Sequence, residues 1–260
     1  QQIAYRKGFG NVLADGAAMA AKKIGKESEK YALTIKGMEI IGDDPRASGK
    51  LWHSGTLDGP RGGDNIRNTH TLLRRMPGPQ ELEQLGLTKE EYVKVFVDYL
   101  DMFDDVKKQV FGMPPRLDDS AFDAAAAVSS KWLGDLCSVM NSLITCILPT
   151  MILNALGPTY YARLLSSCTG EDVTPAALMK TGERIYNLQR MYLARCGLDR
   201  KDDDFPARFY DEPFREGPCD GSRLSRQEVS DYLDMYYRIR GWDEKTGLPK
   251  PEKLDELELG

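Results

Sequence analysis

The stretch TPAALMKTGERIYNLQRMYLARCG, residues 174–197, indicates the fold class of this chain. It has the limits of a helix, because Thr174 is a typical N-cap, Pro175 suits the first helical position and Gly197 suits the C-terminal end. Apolar residues between these limits recur at the spacing of one helix face, which we expect to be buried. The predicted buried stripe consists of Leu178, Ile185, Leu188 and Tyr192. The stretch therefore predicts a helix that runs to about residue 196.

Similar signals predict helices along much of the chain. Thr88 and Glu91 form a capping box, and so do Ser225 and Glu228. Predicted helices cover residues 11–24, 88–111, 120–146 and 225–240, of which 120–146 is expected to be buried. A period-two pattern over residues 30–41 predicts one short strand. The expected fold class is mainly α, with one short strand region.

Two polar regions interrupt this pattern. Residues 42–78 have no sustained helical period and contain seven Gly and three Pro. A stretch of this length inside a compact domain is usually functional or disordered. Residues 199–219 are predicted to form a charged loop, in which Asp202–Asp204 is a solvated run or a helix cap.

Composition excludes several classes of protein. The 260 residues are 41% hydrophobic, enough for one large domain or two small ones. Their 35 Lys and Arg against 40 Asp and Glu give a net charge of −5, which argues against a nucleic-acid partner. The longest apolar candidate, residues 144–156, contains Pro149, Thr150 and Asn154 and is too short to span a bilayer. We expect no nucleic acid and no membrane span.

The cysteines indicate the cellular compartment of the protein, and the first residues indicate whether the chain is part of a longer polypeptide. Five widely spaced cysteines without a CxxC pair favour a reducing cytoplasm over a disulfide framework. Residues 1–7 have no initiator Met and no signal-peptide pattern, and they are typical of the end of a helix. We therefore expect the C-terminal part of a longer polypeptide. Two His residues are too few for a zinc site built from this chain alone, so a metal would need Cys or ligands from elsewhere.

Two features are candidates for chemistry. In GTLDGPRGGDNIRN, residues 55–68, the adjacent glycines Gly62 and Gly63 allow a close backbone approach, and Arg61 and Arg67 suit a phosphate. The alternative is a glycine-rich surface turn, and neither GxxxxGK(S/T) nor GxGxxG is present. Cys146 is either a buried small hydrophobe or a metal ligand. Cys137 is predicted to serve only packing.

Short blocks along the whole chain resemble the C-terminal part of the tungsten-dependent aldehyde:ferredoxin oxidoreductase family. Each block is weak alone, but the ordered set is specific, and only the middle, about residues 72–121, matches poorly. The blocks are RKGFG (6–10), LADG (13–16), KGME (36–39), DPR (44–46), GERIYN (182–187), GLDRKDD (197–203), PARF (206–209), EP (212–213), EGP (216–218), YYRIRGW (236–242) and PEKL (251–254).

The resemblance implies cofactors, domains and partners. Members hold tungsten, or sometimes molybdenum, between two pterin dithiolenes, beside a 4Fe–4S cluster that passes electrons to ferredoxin or another Fe–S protein. Residues 1–78 would end the middle helical domain and include a cofactor-facing glycine-rich loop, and residues 79–260 would form the C-terminal helical domain. A missing N-terminal part would supply three cluster cysteines from a CxxCxxxC run. The other implied partner is a small carbonyl or acyl substrate, and a homo-oligomer is one candidate assembly.

The fourth cluster cysteine of the family comes from a DxxGLC segment, which aligns with NSLITC, residues 141–146. This alignment makes Cys146 the expected cluster ligand. It also makes Asn141, Ile144 and Thr145 expected cofactor-binding residues. Asn141 replaces the family's pterin-contacting Asp, so the carboxylate charge is lost there.

Aldehyde-oxidising members carry RGGCHxxN where this chain has RGGDNIRN, residues 61–68. Their active-site His is Asn65 here, which cannot act as a general acid at neutral pH. Arg67 replaces a pterin-contacting Lys and keeps its charge. His70 lies close in sequence and is the second candidate catalytic residue.

The resemblance implies an oxidoreductase that acts on an aldehyde or a related carbonyl or acyl substrate. A low-potential reductase similar to tungsten benzoyl-CoA reductases is one alternative. A non-catalytic helical subunit that has lost the site is another. Asn65 and Asn141 favour the last possibility, whereas Cys146 and Arg67 oppose it.

Overall fold

The computed structural model describes residues 1–47, 49–64, 66, 68, 77–117, 121–215 and 217–260, without the side chains of residues 51 and 152. Asn65, Arg67 and His70 therefore lie outside the described residues. The elements are α1 (Gly10–Leu13), α2 (Ala17–Ile24), β1 (Thr34–Ile35), β2 (Met38–Glu39), α3 (Lys50–Asp58), α4 (Pro79–Leu85), α5 (Lys89–Tyr99), α6 (Asp104–Phe111), α7 (Ala124–Ser142), α8 (Pro158–Thr169), α9 (Pro175–Arg195), α10 (Arg208–Asp211), α11 (Arg226–Arg240) and α12 (Pro251–Glu256). The expected mainly α fold class, with one short strand region, is confirmed.

Helix α7 lies at the centre of the fold, and most of its residues are buried. It packs against α9, α11, α6 and α3. Glycine allows the closest of these approaches, because a Cβ at Gly182 of α9 would collide with the backbone carbonyl of Asp135 in α7. Ile35 and Leu57 belong to the same buried hydrophobic cluster as the core residues of α7, α9 and α11.

The limits predicted for α9 are confirmed, but its predicted buried stripe is wrong in part. Thr174 Oγ1 accepts a hydrogen bond from the backbone N–H of Ala177, and Leu178 is buried. Ile185 is only half-buried, whereas Leu188 and Tyr192 are 55% and 67% exposed. The buried face instead contains Met179, Gly182, Tyr186, Asn187 and Arg190.

This face of α9 can be buried because its polar side chains find hydrogen-bond partners in the interior. Asn187 Oδ1 accepts from the indole N–H of Trp242 at 2.7 Å. Arg190 donates to the carboxylate of Asp203 at 2.6 and 3.1 Å. A hydrophobic pattern cannot anticipate buried polar residues that are satisfied only by distant parts of the chain.

Other helix limits differ from the predictions. The expected helix over 88–111 keeps its Thr88 cap but divides into α5 and α6, with buried Leu100 and Met102 between them. The expected helix over 11–24 is interrupted at Gly16, whose φ is +89°. The helix over 120–146 is shorter at both ends, since Asp123 caps its first residue. Helices α4, α8, α10 and α12 were not predicted from the sequence, and neither was α3, which lies inside the region expected to lack a helical period.

The predicted strand region forms a two-stranded antiparallel hairpin. Thr34 pairs with Glu39 and Ile35 with Met38. Lys36 occupies the turn with a φ of +51°, and its side chain is buried rather than exposed. Its Nζ lies 2.6 Å from both the Leu57 carbonyl oxygen and Asp203 Oδ1, so the hairpin is fastened to α3 and to the C-terminal half of the chain.

Within the described part of the chain, none of the helices combines the length and the apolar character needed to cross a bilayer.

Candidate cofactor-binding site

Residues 59–68 are here called the glycine loop, and Gly62 and Gly63 in this loop pack directly on the β1–β2 hairpin. The backbone N–H of Gly63 donates to the carbonyl of Ile35 at 3.2 Å. Gly62 has a φ of +91°, and a Cβ on it would collide with the same carbonyl. A Cβ on Gly63 would collide with the carbonyls of Met38 and Glu39. The close backbone approach that two glycines allow is therefore made to the hairpin, and the Gly63 N–H is not free to hold an anion.

Asp64 stabilises the loop from within. Its Oδ1 accepts from the backbone N–H of Ile66 at 2.8 Å, and its Oδ2 lies 2.9 Å from the guanidinium of Arg61. The positive charge that the sequence analysis assigned to phosphate binding is thus paired inside the loop at Arg61. Arg67, the other such residue, is not among the described residues.

Helix α7 holds the far end of the glycine loop at two points. The thiol of Cys137 donates to the carbonyl of Ile66 at 3.4 Å. Asn68 is fully buried, and its Nδ2 lies 2.9 Å from the hydroxyl of Ser130. Cys137 packs in the core as predicted, and it also contacts this loop.

Asp58, at the end of α3, is the centre of the buried polar cluster beneath the loop. Its carboxylate accepts from Asn68 Nδ2 at 2.6 Å, from Tyr232 Oη at 2.6 Å and from the Ser130 hydroxyl. Burial raises the pKa of Asp58 to about 6, although the hydrogen bonds from Ser130 and Tyr232 oppose the shift. Using a buried carboxyl to hold the loop costs free energy, because desolvation disfavours the charged form of the carboxyl.

The second candidate segment, residues 141–153, starts in the last turn of α7 and is here called the α7 exit. The side chain of Asn141 turns back, and its Nδ2 donates to the carbonyl of Cys137 at 2.8 Å. Thr145 Oγ1 lies 3.1 Å from the carbonyl of Met140. Cys146 is exposed rather than buried. The alternative of a buried small hydrophobe is therefore wrong for this cysteine.

Cys137 brings the two segments together. Its thiol contacts Ile66 in the glycine loop, and its carbonyl accepts from Asn141 at the start of the α7 exit. Residues that are more than 70 positions apart in the sequence are thus joined across one turn of α7. Ile66 and Asn141, which come from the two segments that the resemblance linked to a cofactor, are thus held by the same residue of α7.

Comparison with known proteins shows the family of this chain. The model of the family described as "Aldehyde ferredoxin oxidoreductase, domains 2 & 3" matches residues 1–259. The chain belongs to this family. It spans about a third of the length of the curated relatives that it matches, at 35% of the first of them.

Named relatives differ in their described activities. The chain is 30% identical over 259 residues to a tungsten-containing aldehyde ferredoxin oxidoreductase of Pyrococcus furiosus, covering 99% of this chain. It is 27% identical over 271 residues to the WOR-like subunit of an aliphatic sulfonate oxidoreductase of the same organism, covering 99% of this chain and 33% of that protein. Among solved structures, the active-site complex BamBC of benzoyl coenzyme A reductase with 1,5-dienoyl-CoA matches with a TM-score of 0.76. That match has 23% identity and covers 100% of this chain and 38% of the other.

One position of the α7 exit has a backbone conformation that is costly for its residue. Ile144 has a φ of +57°, and its side chain is 93% exposed. The resemblance aligns this position with the glycine of the family's DxxGLC segment, and glycine adopts positive φ freely. A β-branched residue is strained there, by about 1–2 kcal/mol. The backbone conformation of the segment is therefore one that suits the glycine of the family pattern.

The groups of this chain that could bind a cofactor fit one that also takes ligands from other segments. Among the described residues, no three His, Cys, Asp or Glu side chains are placed to hold a metal ion. Cys146 offers one exposed thiol, so a cluster here needs its other ligands from elsewhere. Within the same described ranges, Thr56 Oγ1, Asn68 Oδ1 and Ser129 Oγ are buried without a hydrogen-bond partner. Of these, Asn68 Oδ1 belongs to the glycine loop, where an unpaired buried acceptor suits a polar group that binds there.

The sequence analysis missed the buried charges that support this site. Asp203 was expected to be solvated or to cap a helix, but it is 1% exposed and pairs with Lys36 and Arg190. Burial alone would raise the pKa of Asp203, but these two cations lower it below its ordinary value. Arg240 is also fully buried and pairs with Asp135 of α7. Only the matches to GLDRKDD and YYRIRGW pointed to these residues, without indicating their burial.

Proposed function

We propose that this chain is the C-terminal part of a tungsten (or molybdenum) bis-pterin, 4Fe–4S oxidoreductase. Its substrate would be an aldehyde or a related carbonyl or acyl compound, and its electron partner a ferredoxin-type protein. Family membership supports the class of enzyme. The observation that carries the proposal is the junction at Cys137, because it joins the glycine loop to the α7 exit, the two segments that match the family's cofactor motifs.

We assign the residues of this chain to the two bound groups as follows. Cys146 would provide one thiolate to the cluster, because it is the exposed cysteine in the segment similar to DxxGLC. Asn141, Ile144, Thr145 and Arg67 would contact the pterin. When bound, the metal–pterin group supplies two-electron redox chemistry and the cluster relays single electrons.

The side chains of this chain would bind the cofactor and orient the substrate, and most of them would not transfer protons. Asn141 uses its N–H toward Cys137, which leaves Oδ1 to accept a hydrogen bond from a pterin edge. Asn65 can orient a substrate oxygen by hydrogen bonding but cannot protonate it. If a proton is needed near the loop, His70 is the candidate donor.

The remaining parts of the proposal concern the whole protein. An N-terminal part would contribute the other cluster cysteines, with residues 1–78 ending its middle helical domain and residues 79–260 forming the C-terminal one. The protein would be cytoplasmic, and a homo-oligomer is one possible assembly. The length of the chain, about a third of its relatives, supports the existence of such a part.

One sequence observation favours a second candidate function. Aldehyde-oxidising members have His where this chain has Asn65, so a reaction that needs no general acid at that position is favoured. A low-potential reductase similar to the benzoyl-CoA reductases fits this condition. Under the third possibility, a non-catalytic subunit, neither metal nor cluster would be present.

Elemental analysis of the native full-length protein tests these alternatives. We expect tungsten or molybdenum together with iron. Absence of all three would favour the non-catalytic subunit and refute the proposal. Oxidation of aldehydes with a ferredoxin-type acceptor, compared with reduction of an aromatic acyl thioester by a low-potential donor, then separates the two enzymes.

The role of Cys146 is tested by Cys146→Ala in the full-length protein, with Cys168→Ala as the matched control because Cys168 is also an exposed free thiol. We expect the electron paramagnetic resonance signal of the reduced cluster to be lost or altered only in Cys146→Ala. An unchanged signal in Cys146→Ala, with a loss in Cys137→Ala, would show that the alignment with DxxGLC is wrong.

A further inference from the structure

The side-chain amide of Asn68 is held in one orientation. Its Nδ2 donates to Asp58 Oδ1 at 2.6 Å and to Ser130 Oγ at 2.9 Å, so both N–H bonds are used. An ionised carboxylate only accepts hydrogen bonds, and therefore only the N–H side of the amide can face Asp58. The Asn68 oxygen consequently faces the other way.

Asp58 is itself held from several elements. The Ser130 hydroxyl of α7 and the Tyr232 hydroxyl of α11 both donate to its Oδ2. The Tyr186 hydroxyl of α9 donates to its backbone carbonyl at 3.0 Å. Closing a loop does not require a buried carboxyl with this many donors, since apolar packing would do so at lower cost.

The group that this arrangement presents is an acceptor. Asn68 is fully buried, and its Oδ1 accepts no hydrogen bond from any residue that the structure describes. A buried unpaired acceptor carries a desolvation cost that a donor from a bound group would remove. Asn68 lies one residue after Arg67 and three after Asn65, in the loop assigned above to the cofactor.

We infer that Asp58 is a positioning residue, which fixes the Asn68 side chain so that its oxygen accepts a hydrogen bond from an N–H or O–H of the bound pterin. This inference rests on the proposed function. The inference requires the Asn68 oxygen, and not its N–H group, to face the pterin. A neutral group at position 58 that can also donate would let the Asn68 amide turn and present its N–H instead.

The test uses the full-length protein and four variants: Asp58→Asn, Asn68→Ala, both changes together, and the exchange Asp58→Asn with Asn68→Asp. Pterin and tungsten per polypeptide are measured, together with hydrogen–deuterium exchange of peptides covering residues 59–68. We expect Asp58→Asn and Asn68→Ala each to lower the pterin content per polypeptide by up to about tenfold, because the loss of one hydrogen bond weakens binding of a group by about that factor. The two changes together should cost no more than either alone.

The exchange variant separates positioning from general support of the fold. The new amide at position 58 can donate to the new carboxylate at position 68, whose second oxygen still presents an acceptor. We expect pterin content to return to within about threefold of wild type. A role of Asp58 in the fold that does not act through Asn68 predicts a further loss instead, and that result would overturn the inference.

Two adjacent serines of α7 provide a matched control and a second route if Asp58→Asn does not fold. Ser130 bonds both Asp58 and Asn68, whereas Ser129 Oγ is buried without a partner among the described residues. Ser130→Ala should lower pterin content and speed exchange in the loop, and Ser129→Ala should do neither. Equal behaviour of the two variants would contradict the inference.

Wild-type protein that contains neither tungsten nor pterin would refute the proposed function itself. If the wild type contains both and Asp58→Asn does not change their content, only the role of Asp58 is refuted.

Discussion

The glycine loop and the α7 exit meet at Cys137 but differ in where their support comes from. The described residues of the glycine loop pack on the hairpin, and Asp58 and Ser130 satisfy the Asn68 N–H. The α7 exit instead exposes Cys146 and several large apolar side chains, and one of its residues is strained. The exposed apolar residues are Ile144, Leu148 and Leu153. The loop is thus built by this chain, whereas the exit has surfaces that remain available to the rest of the protein.

The largest expected effect comes from the buried charges beneath the hairpin. Asp203→Ala would leave Lys36 and Arg190 buried without their carboxylate, which typically costs about 3–5 kcal/mol. Asp15→Ala is the matched control, because Asp15 also pairs with one Arg and one Lys, but near the surface. There we expect little loss of stability, because ion pairs near the surface are screened by solvent. Thermal and urea unfolding measure both, and equal losses would show that the hairpin does not depend on the buried cluster.

A smaller effect should appear in the pH dependence of stability. Burial raises the pKa of Asp58 from 3.8 to about 6, so the folded state binds this proton more tightly than the unfolded state. Protonated Asp58 therefore makes its full contribution to the free energy of unfolding below about pH 4. As the pH rises to about 6, this contribution decreases by about 3 kcal/mol. The stability of wild type minus that of Asp58→Asn should accordingly fall between about pH 4 and about pH 6. A difference independent of pH would contradict the raised pKa.

The smallest effect concerns the α7 exit. Ile144→Gly should raise stability by about 1 kcal/mol, because glycine adopts the positive φ without strain and the exposed side chain loses little burial. Ile144→Ala keeps a Cβ in the same conformation and should bring little of this gain. Urea unfolding compares the two. If Ile144→Gly is destabilising, the exit is not strained and the contrast with the loop weakens.

Some of the candidate site was predictable. The resemblance selected residues 61–68 and 141–146, and in the structure Ile66 and Asn141 both contact Cys137 of α7. The two glycines were recognised as a place of close backbone approach, but the sequence could not show that the hairpin, rather than a ligand, makes the approach. Asp58 escaped notice because a single carboxyl between Leu57 and Gly59 has no local signal of burial.

The sequence by itself determined the mainly α fold class, the limits of α9 and α11, and the family. Caps act within one turn of a helix, so Thr174 and Ser225 could be recognised without any tertiary information. The tertiary structure decided which face of α9 is buried, and that Asp58, Asp203 and Arg240 lie in the interior. Burying a polar or charged group is favourable only with partners in place, and these partners come from segments far away in the chain.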